Sequence, residues 1–208
     1  KVEHLLAHRE LLPLLASTGC LFVTSAVESV DDEVLAKLEK GHTRADFIAA
    51  AALCRDAGLT LVPTFVAFTP WTSLRQYADL VGTVDRLGLI EHVSPVQWSI
   101  RLLIPRGSRL LELQDVRELV DPFDPVALAF PWRHPDARMD ALQQRVAAIG
   151  RPQSSLRSCA IASGTWSCVN AMPCPELWIS CCRLVRAATS PTSRSRAGCN
   201  TTCTGMCA

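Results

Sequence analysis

The chain has 208 residues, 49% of them apolar, and carries 21 Lys and Arg against 20 Asp and Glu for a formal net charge of +1. That length allows one ordinary domain, and that apolar share is enough to build a core, which excludes a wholly disordered chain. No run of about 18 uncharged apolar residues is present, and Lys1-Val2-Glu3-His4 shows neither a start Met nor a signal-peptide pattern, so a soluble cytoplasmic protein is expected.

Residues 10–18 read as a helix, with Pro13 tolerated in its opening turn. Residues 20–27 follow as a buried strand, a short apolar run without a 3.6-residue stripe. The strand runs out in Ala26-Val27-Glu28-Ser29. Glu28 is a candidate functional carboxylate, suited to a ribose or an ammonium group, because an acid at a strand end is hard to explain by structure alone. Ser29 reads first as the N-cap of a helix over residues 31–40, whose acidic opening suits the positive end of a helix dipole. In Lys40-Gly41-His42-Thr43 the basic residue ends that helix, the Gly stops it and the Thr caps the next one, over 44–57. His42 is expected at the surface or in a cap, since no second His or Cys stands at metal-ligand spacing.

Gly58 closes the helix, and residues 59–68 form a second buried strand. After Pro70-Trp71-Thr72 comes a helix over 73–87, closed by Gly88. A third strand is expected over 96–104, where period-2 alternation puts Gln97, Ser99 and Arg101 on one face. In a barrel that face points to the lumen, and the fork of Arg101 suits a carboxylate or phosphate. The structural alternative is an internal ion pair with an acid such as Glu28. Past Pro105-Arg106-Gly107-Ser108 the pattern weakens to a short Leu-rich helix, then a stretch with Pro and Trp over 121–135 and a last amphipathic helix over 136–149, together a short helical cap.

Strands recurring about every 38 residues between helices imply an α/β fold with parallel strands and right-handed crossovers. Three strands cannot close a barrel. Residues 1–150 are therefore expected to be a partial parallel (β/α) barrel from a larger enzyme, with further units before Lys1.

The charge balance divides at Gly150. Residues 1–150 hold 19 acidic and 15 basic residues and only Cys20 and Cys54; residues 151–208 hold one acid, Glu176, six arginines and eight cysteines. A disulfide scaffold, a metal-binding tail and an out-of-frame translation all compete for this Cys/Ser/Arg-rich segment. The last is favoured, and a mostly irregular tail is expected.

Gly19-Cys20-Leu21-Phe22-Val23 leading to Glu28-Ser29, then Asp31-Asp32-Glu33-Val34-Leu35, then Lys40-Gly41-His42-Thr43-Arg44, resembles the middle of a radical S-adenosylmethionine (SAM) barrel. Lys1-Val2-Glu3-His4, Phe68-Thr69-Pro70-Trp71-Thr72, Pro95-Val96-Gln97, the run Arg101 to Ser108, and Asp136-Ala137-Arg138-Met139-Asp140 are similar to one subgroup, whose members end in a Cys-Cys-Ala-Glu-Pro or selenocysteine-containing tail. The resemblance covers roughly residues 1–150. It implies reductive cleavage of SAM by a [4Fe-4S] cluster to start radical chemistry. It also implies contacts of Glu28 and Ser29 with the SAM ribose and amino groups, and of Lys40 with its carboxylate. Thr64 and Val66 would lie in the strand that passes the adenine, and Gln97, Ser99 and Arg101 on the substrate side. The implied partners are a small-molecule or peptide substrate and a reductant protein, with neither nucleic acid nor membrane.

The family's CxxxCxxC cluster loop is not found in residues 1–150, so no metal ligand is assigned there and the chain is expected to be inactive alone. Cys181-Cys182-Arg183-Leu184-Val185 departs from the subgroup's ending, so neither cysteine is assigned a role. Two rivals stand beside this expectation. One is a half-barrel binding module completed by a partner chain, motivated by exposed edge strands. The other is an unrelated, phosphate-dependent parallel barrel, which predicts a Gly-rich phosphate loop that the sequence does not contain.

Overall fold

Two parallel strands, each led into by a helix that ends in the same two-bond motif, frame residues 1–150, which are the residues that the computed structural model describes. The readings made of residues 151–208 lie outside the described residues. In chain order the elements are α1 (Val2–Ala7), α2 (Leu12–Ser17), β1 (Phe22–Glu28), α3 (Asp32–Lys37), α4 (Arg44–Asp56), β2 (Thr60–Phe65), α5 (Leu74–Arg86), α6 (Gln114–Arg117) and α7 (Ala137–Gly150), with 3₁₀ turns between several of them. The described residues are thus mixed α/β around a two-stranded parallel sheet.

Local chemistry accounts for most of the boundaries. Thr43 and Ser73 each build a capping box, with Asp46 and Gln76, and start α4 and α5. Each of the four helices α2 to α5 ends with one residue in the left-handed region whose N–H, and that of the residue after it, close onto the last carbonyls. Gly19, Gly58 and Gly88 fill three of these positions at φ of 94°, 75° and 69°. At the end of α3 the same place is held by Glu39, at φ 52°, with Lys40 N–H donating to the Leu35 carbonyl at 2.9 Å. The expected helix over 31–40 therefore stops at Lys37, and Lys40 turns back toward the sheet.

One face of the sheet is buried by helices. Ser25 and Val27 of β1 and Leu61, Pro63 and Phe65 of β2 point into it, while Phe22, Thr24 and Ala26 on the opposite face of β1 are exposed. Phe65 meets Phe47 of α4 edge-on at 6.1 Å between centroids and stacks on Trp98 at 6.0 Å, and the Tyr77 hydroxyl of α5 donates to the Trp98 carbonyl at 2.9 Å. Met139, Leu142 and Val146 of α7 complete this core.

The expected strand over 96–104 is instead a 3₁₀ turn, Pro95–Ser99, followed by one extended step that pairs Arg101 with Phe68 as a parallel bridge. Pro95 presets the turn's φ and offers no N–H to a ladder, and the Ser99 hydroxyl donates back to the Val96 carbonyl at 3.1 Å. Bonds from Phe68 N–H to the Ile100 carbonyl (3.0 Å) and from Leu102 N–H to the Phe68 carbonyl (2.8 Å) are what the third strand contributes. Ile104, Val116 and Trp132 form a separate small core for the cap.

Candidate functional site at the carboxyl end of β1

Strand pairing runs in register from Phe22 opposite Thr60 to Ala26 opposite Thr64, then slips, so that Glu28 faces Phe65 and Val27 is an extra residue. Bulges of this kind re-aim a side chain at the end of a strand. Here the result is Glu28 at φ 67°, a left-handed conformation that costs a non-glycine residue about 1–2 kcal/mol. Three bonds hold it. Val66 N–H donates to the Glu28 carbonyl at 2.9 Å, while the Val27 carbonyl accepts from Ser29 N–H at 2.8 Å and from His42 Nε2 at 3.1 Å.

So aimed, the Glu28 carboxylate accepts from Lys40 Nζ at 2.9 Å, with side-chain exposures of 17% for Glu28 and 33% for Lys40. The acid and the base thus form one half-buried pair at the carboxyl end of the strand, with Ser29 adjoining it. Ser29 does not cap α3. Asp31 does, its Oδ1 accepting from the N–H groups of Glu33 (3.1 Å) and Val34 (3.0 Å), and the Ser29 hydroxyl accepts from Asp31 N–H at 3.1 Å. Gln76 of α5 donates to Asp31 Oδ2 at 2.7 Å and ties the two helix starts together beside the site. Thr64 lies across the ladder from Ala26 on the face that the helices leave open, and Val66 follows the end of β2, half-buried.

Gln97, Ser99 and Arg101 do not share a strand face, because the turn separates them. Thr60 and Val66 donate their N–H groups toward β1, which leaves the odd-numbered positions of β2 facing the other edge. There Pro63 has no N–H to satisfy, and Phe65 N–H finds Gln97 Oε1 at 3.0 Å, so a side chain replaces a strand partner. Arg101 is paired with Asp140 of α7 at 2.5 Å rather than with Glu28; it also donates to the Trp132 carbonyl at 2.6 Å and lies 3.6 Å over the Trp132 ring.

His42 is the residue whose place the sequence misjudged. Neither surface nor cap, it is 5% exposed and bonded to β1. Nothing in its immediate neighbours signals this, since the bond spans 15 residues. Among the described residues no group of three or more His, Cys, Asp or Glu is placed to hold a metal ion. Cys20 and Cys54 are both free thiols, and burial pushes the Cys54 thiol up from its ordinary value. A cavity of about 290 Å³ lined by Arg55, Thr60, Leu87 and His92 lies at the amino end of β2, away from Glu28.

No protein-family model matches the sequence, and no curated protein matches it. Among solved structures the chain is similar to the cobalamin-dependent S-adenosylmethionine radical enzyme OxsB with aqua-cobalamin bound, with a TM-score of 0.55 and 16% identity, over 66% of this chain and 25% of that one. The likeness is one of fold, and the chain spans about a quarter of that neighbour's length.

Proposed function

We propose that residues 1–150 are a section of a radical SAM barrel and that the carboxyl end of β1 contributes to binding SAM. The observation that carries this is the half-buried Glu28–Lys40 pair with Ser29 beside it, set at a strand's carboxyl end in a fold similar to part of a radical SAM enzyme. The residues present fit the amino-acid portion of SAM. A carboxylate accepts from an ammonium group, and an ammonium side chain meets a carboxylate. Ser29 adds a hydroxyl for the ribose, Thr64 and Val66 lie along the path of the adenine, and Gln97, Ser99 and Arg101 belong to the wall on the substrate side.

SAM, when bound and reductively cleaved, supplies the carbon radical of this chemistry. The described residues do not fit the [4Fe-4S] cluster that such cleavage uses, because no three of their ligand-type side chains converge. What these residues do is bind and orient. Lys40 and Glu28 hold the charged end of the ligand, and the helix-covered face of the sheet keeps the strand end rigid. A small-molecule or peptide substrate and a reductant protein are the partners of the complete enzyme on this proposal.

The test is SAM binding to the full chain by calorimetry. Removing one partner of a charged hydrogen bond costs about 1.5–3 kcal/mol, and partial exposure puts this site at the low end, so Glu28→Gln and Lys40→Met should each weaken SAM about tenfold. A folded wild-type chain that ignores SAM, or variants that bind it equally well, would overturn the proposal. A second reading, a half-barrel completed by a partner chain, is favoured by the exposed Leu11, Leu14 and Leu15 of α2 and the turn before it, together with Leu21 and Phe22 at the start of β1. A monodisperse folded monomer in native mass spectrometry rules against it.

A further inference from the structure

We infer that His42 is a positioning residue, whose Nε2–H pins the Val27–Glu28 peptide so that the Glu28 carboxylate and Lys40 meet; for its ligand this inference rests on the SAM proposal, and for the rest on geometry. The Val27 carbonyl only accepts, so the nitrogen 3.1 Å from it, Nε2, carries the hydrogen. That carbonyl belongs to the peptide immediately before Glu28, whose φ of 67° is the strained step of the strand end. Strain of this kind persists only where the surroundings over-determine it. Ser29 N–H donates to the same carbonyl from along the chain, Val66 N–H holds the next carbonyl, that of Glu28, from β2's side, and His42 holds the peptide from outside the sheet.

The same side chain fixes the other half of the pair. Lys40 is two residues away, on the segment that joins α3 to α4. That segment is held at its far end by the Thr43–Asp46 capping box, and the Glu3 carboxylate of α1 lies in the space that a Cβ on Gly41 would take. Between Lys40 and that capping box, His42 is the segment's bond to β1. Releasing the bond frees the Val27–Glu28 peptide to relax toward an ordinary φ and lets the segment lift, and both motions part the carboxylate from the ammonium. A histidine that only filled space would be replaceable by leucine, whereas a positioning donor would not.

The experiment compares His42→Leu, which keeps bulk without a donor, with His42→Gln, whose amide nitrogen falls near the place of Nε2. Amide hydrogen exchange on the full chain reads the ligand-independent part. His42→Leu should speed exchange at Ser29 and Val66 about threefold to tenfold, as expected for one lost hydrogen bond, while amides of α5 stay unchanged and His42→Gln stays within about twofold of wild type. SAM affinity should fall about threefold to tenfold in His42→Leu, recover in His42→Gln, and fall no further when His42→Leu is added to Lys40→Met. Should His42→Leu fail to fold, His42→Asn, whose amide is too short to reach Val27, carries the same expectation. Unchanged exchange at Ser29 and Val66, or a Gln variant as impaired as the Leu variant, overturns the inference. The expected exchange pattern in a chain that does not bind SAM upholds His42 as a positioning residue and fails the SAM proposal alone.

Discussion

Replacing Arg101 by Met should destabilise the chain by about 3 kcal/mol, because it removes three interactions at once. The guanidinium bonds the Asp140 carboxylate at 2.5 Å and the Trp132 carbonyl at 2.6 Å and stacks 3.6 Å over the Trp132 ring. A charged hydrogen bond contributes about 1.5–3 kcal/mol and a cation–π contact about 1 kcal/mol; side chains 26% exposed on both partners reduce the total, and the Met side chain keeps some packing on the ring. Asp140→Asn should cost less, about 1–1.5 kcal/mol, since the amide oxygen still accepts from Arg101 and from His134 N–H, now 3.1–3.4 Å from the Asp140 carboxylate oxygens. In the Arg101→Met background the same change should cost almost nothing, since the half-buried carboxylate has already lost its partner. The cycle therefore predicts a coupling of about 1–1.5 kcal/mol between the two residues. Urea unfolding followed by circular dichroism measures all four proteins, with the midpoint moving and the slope unchanged. Arg101→Lys should fall close to Arg101→Met, because an ammonium neither forks to two acceptors nor stacks on indole in the same way. Midpoints equal to wild type, or a strictly additive cycle, would refute the reasoning and return Arg101 to the substrate side alone.

Two further outcomes follow from other parts of the fold. The Arg44 guanidinium, joined to Asp79 by two hydrogen bonds, holds the Asp79 carboxyl below its ordinary value, and Arg86 adds to the effect. A carboxyl so lowered contributes stability that is present above its unfolded value near pH 4 and lost as pH falls through the folded one. Asp79→Asn should therefore flatten the decline of melting temperature below about pH 4, by under about 1 kcal/mol because the pair is partly exposed; parallel acid limbs in the two proteins would contradict this. Glu39→Gly should raise stability by about 0.5–1 kcal/mol, since it places glycine at the one left-handed helix end of the four that lacks it, and the Arg109 pair it gives up is exposed. A lower melting temperature for this variant would show that the exposed pair contributes more than the backbone strain.

Sequence alone was enough for whatever depends on neighbours a few residues away. Thr43 announces α4, Pro70-Trp71-Thr72 precedes α5, Gly58 and Gly88 end them, and the apolar runs after Gly19 and Gly58 become β1 and β2, because caps, left-handed stops and strand burial are decided within a turn or two of chain. Local pattern also placed Glu28 at the end of its strand, while the helix expected to run to Lys40 stops three residues short of it, at Lys37. What only the tertiary structure decided is which groups face one another. Pro95–Ser99 alternates like a strand and winds as a turn, and the ladder bond it omits is made good by Gln97 from 32 residues beyond Phe65. Arg101 chose Asp140, 39 residues on, over Glu28, the acid that the strand reading offered. His42 reads as a surface or capping residue and is buried against Val27, 15 residues back. The physical reason is common to all three. A buried donor or acceptor must find a partner somewhere, and composition shows the need, but the partner is fixed by how helices and strands pack around it, which no window of neighbouring residues contains.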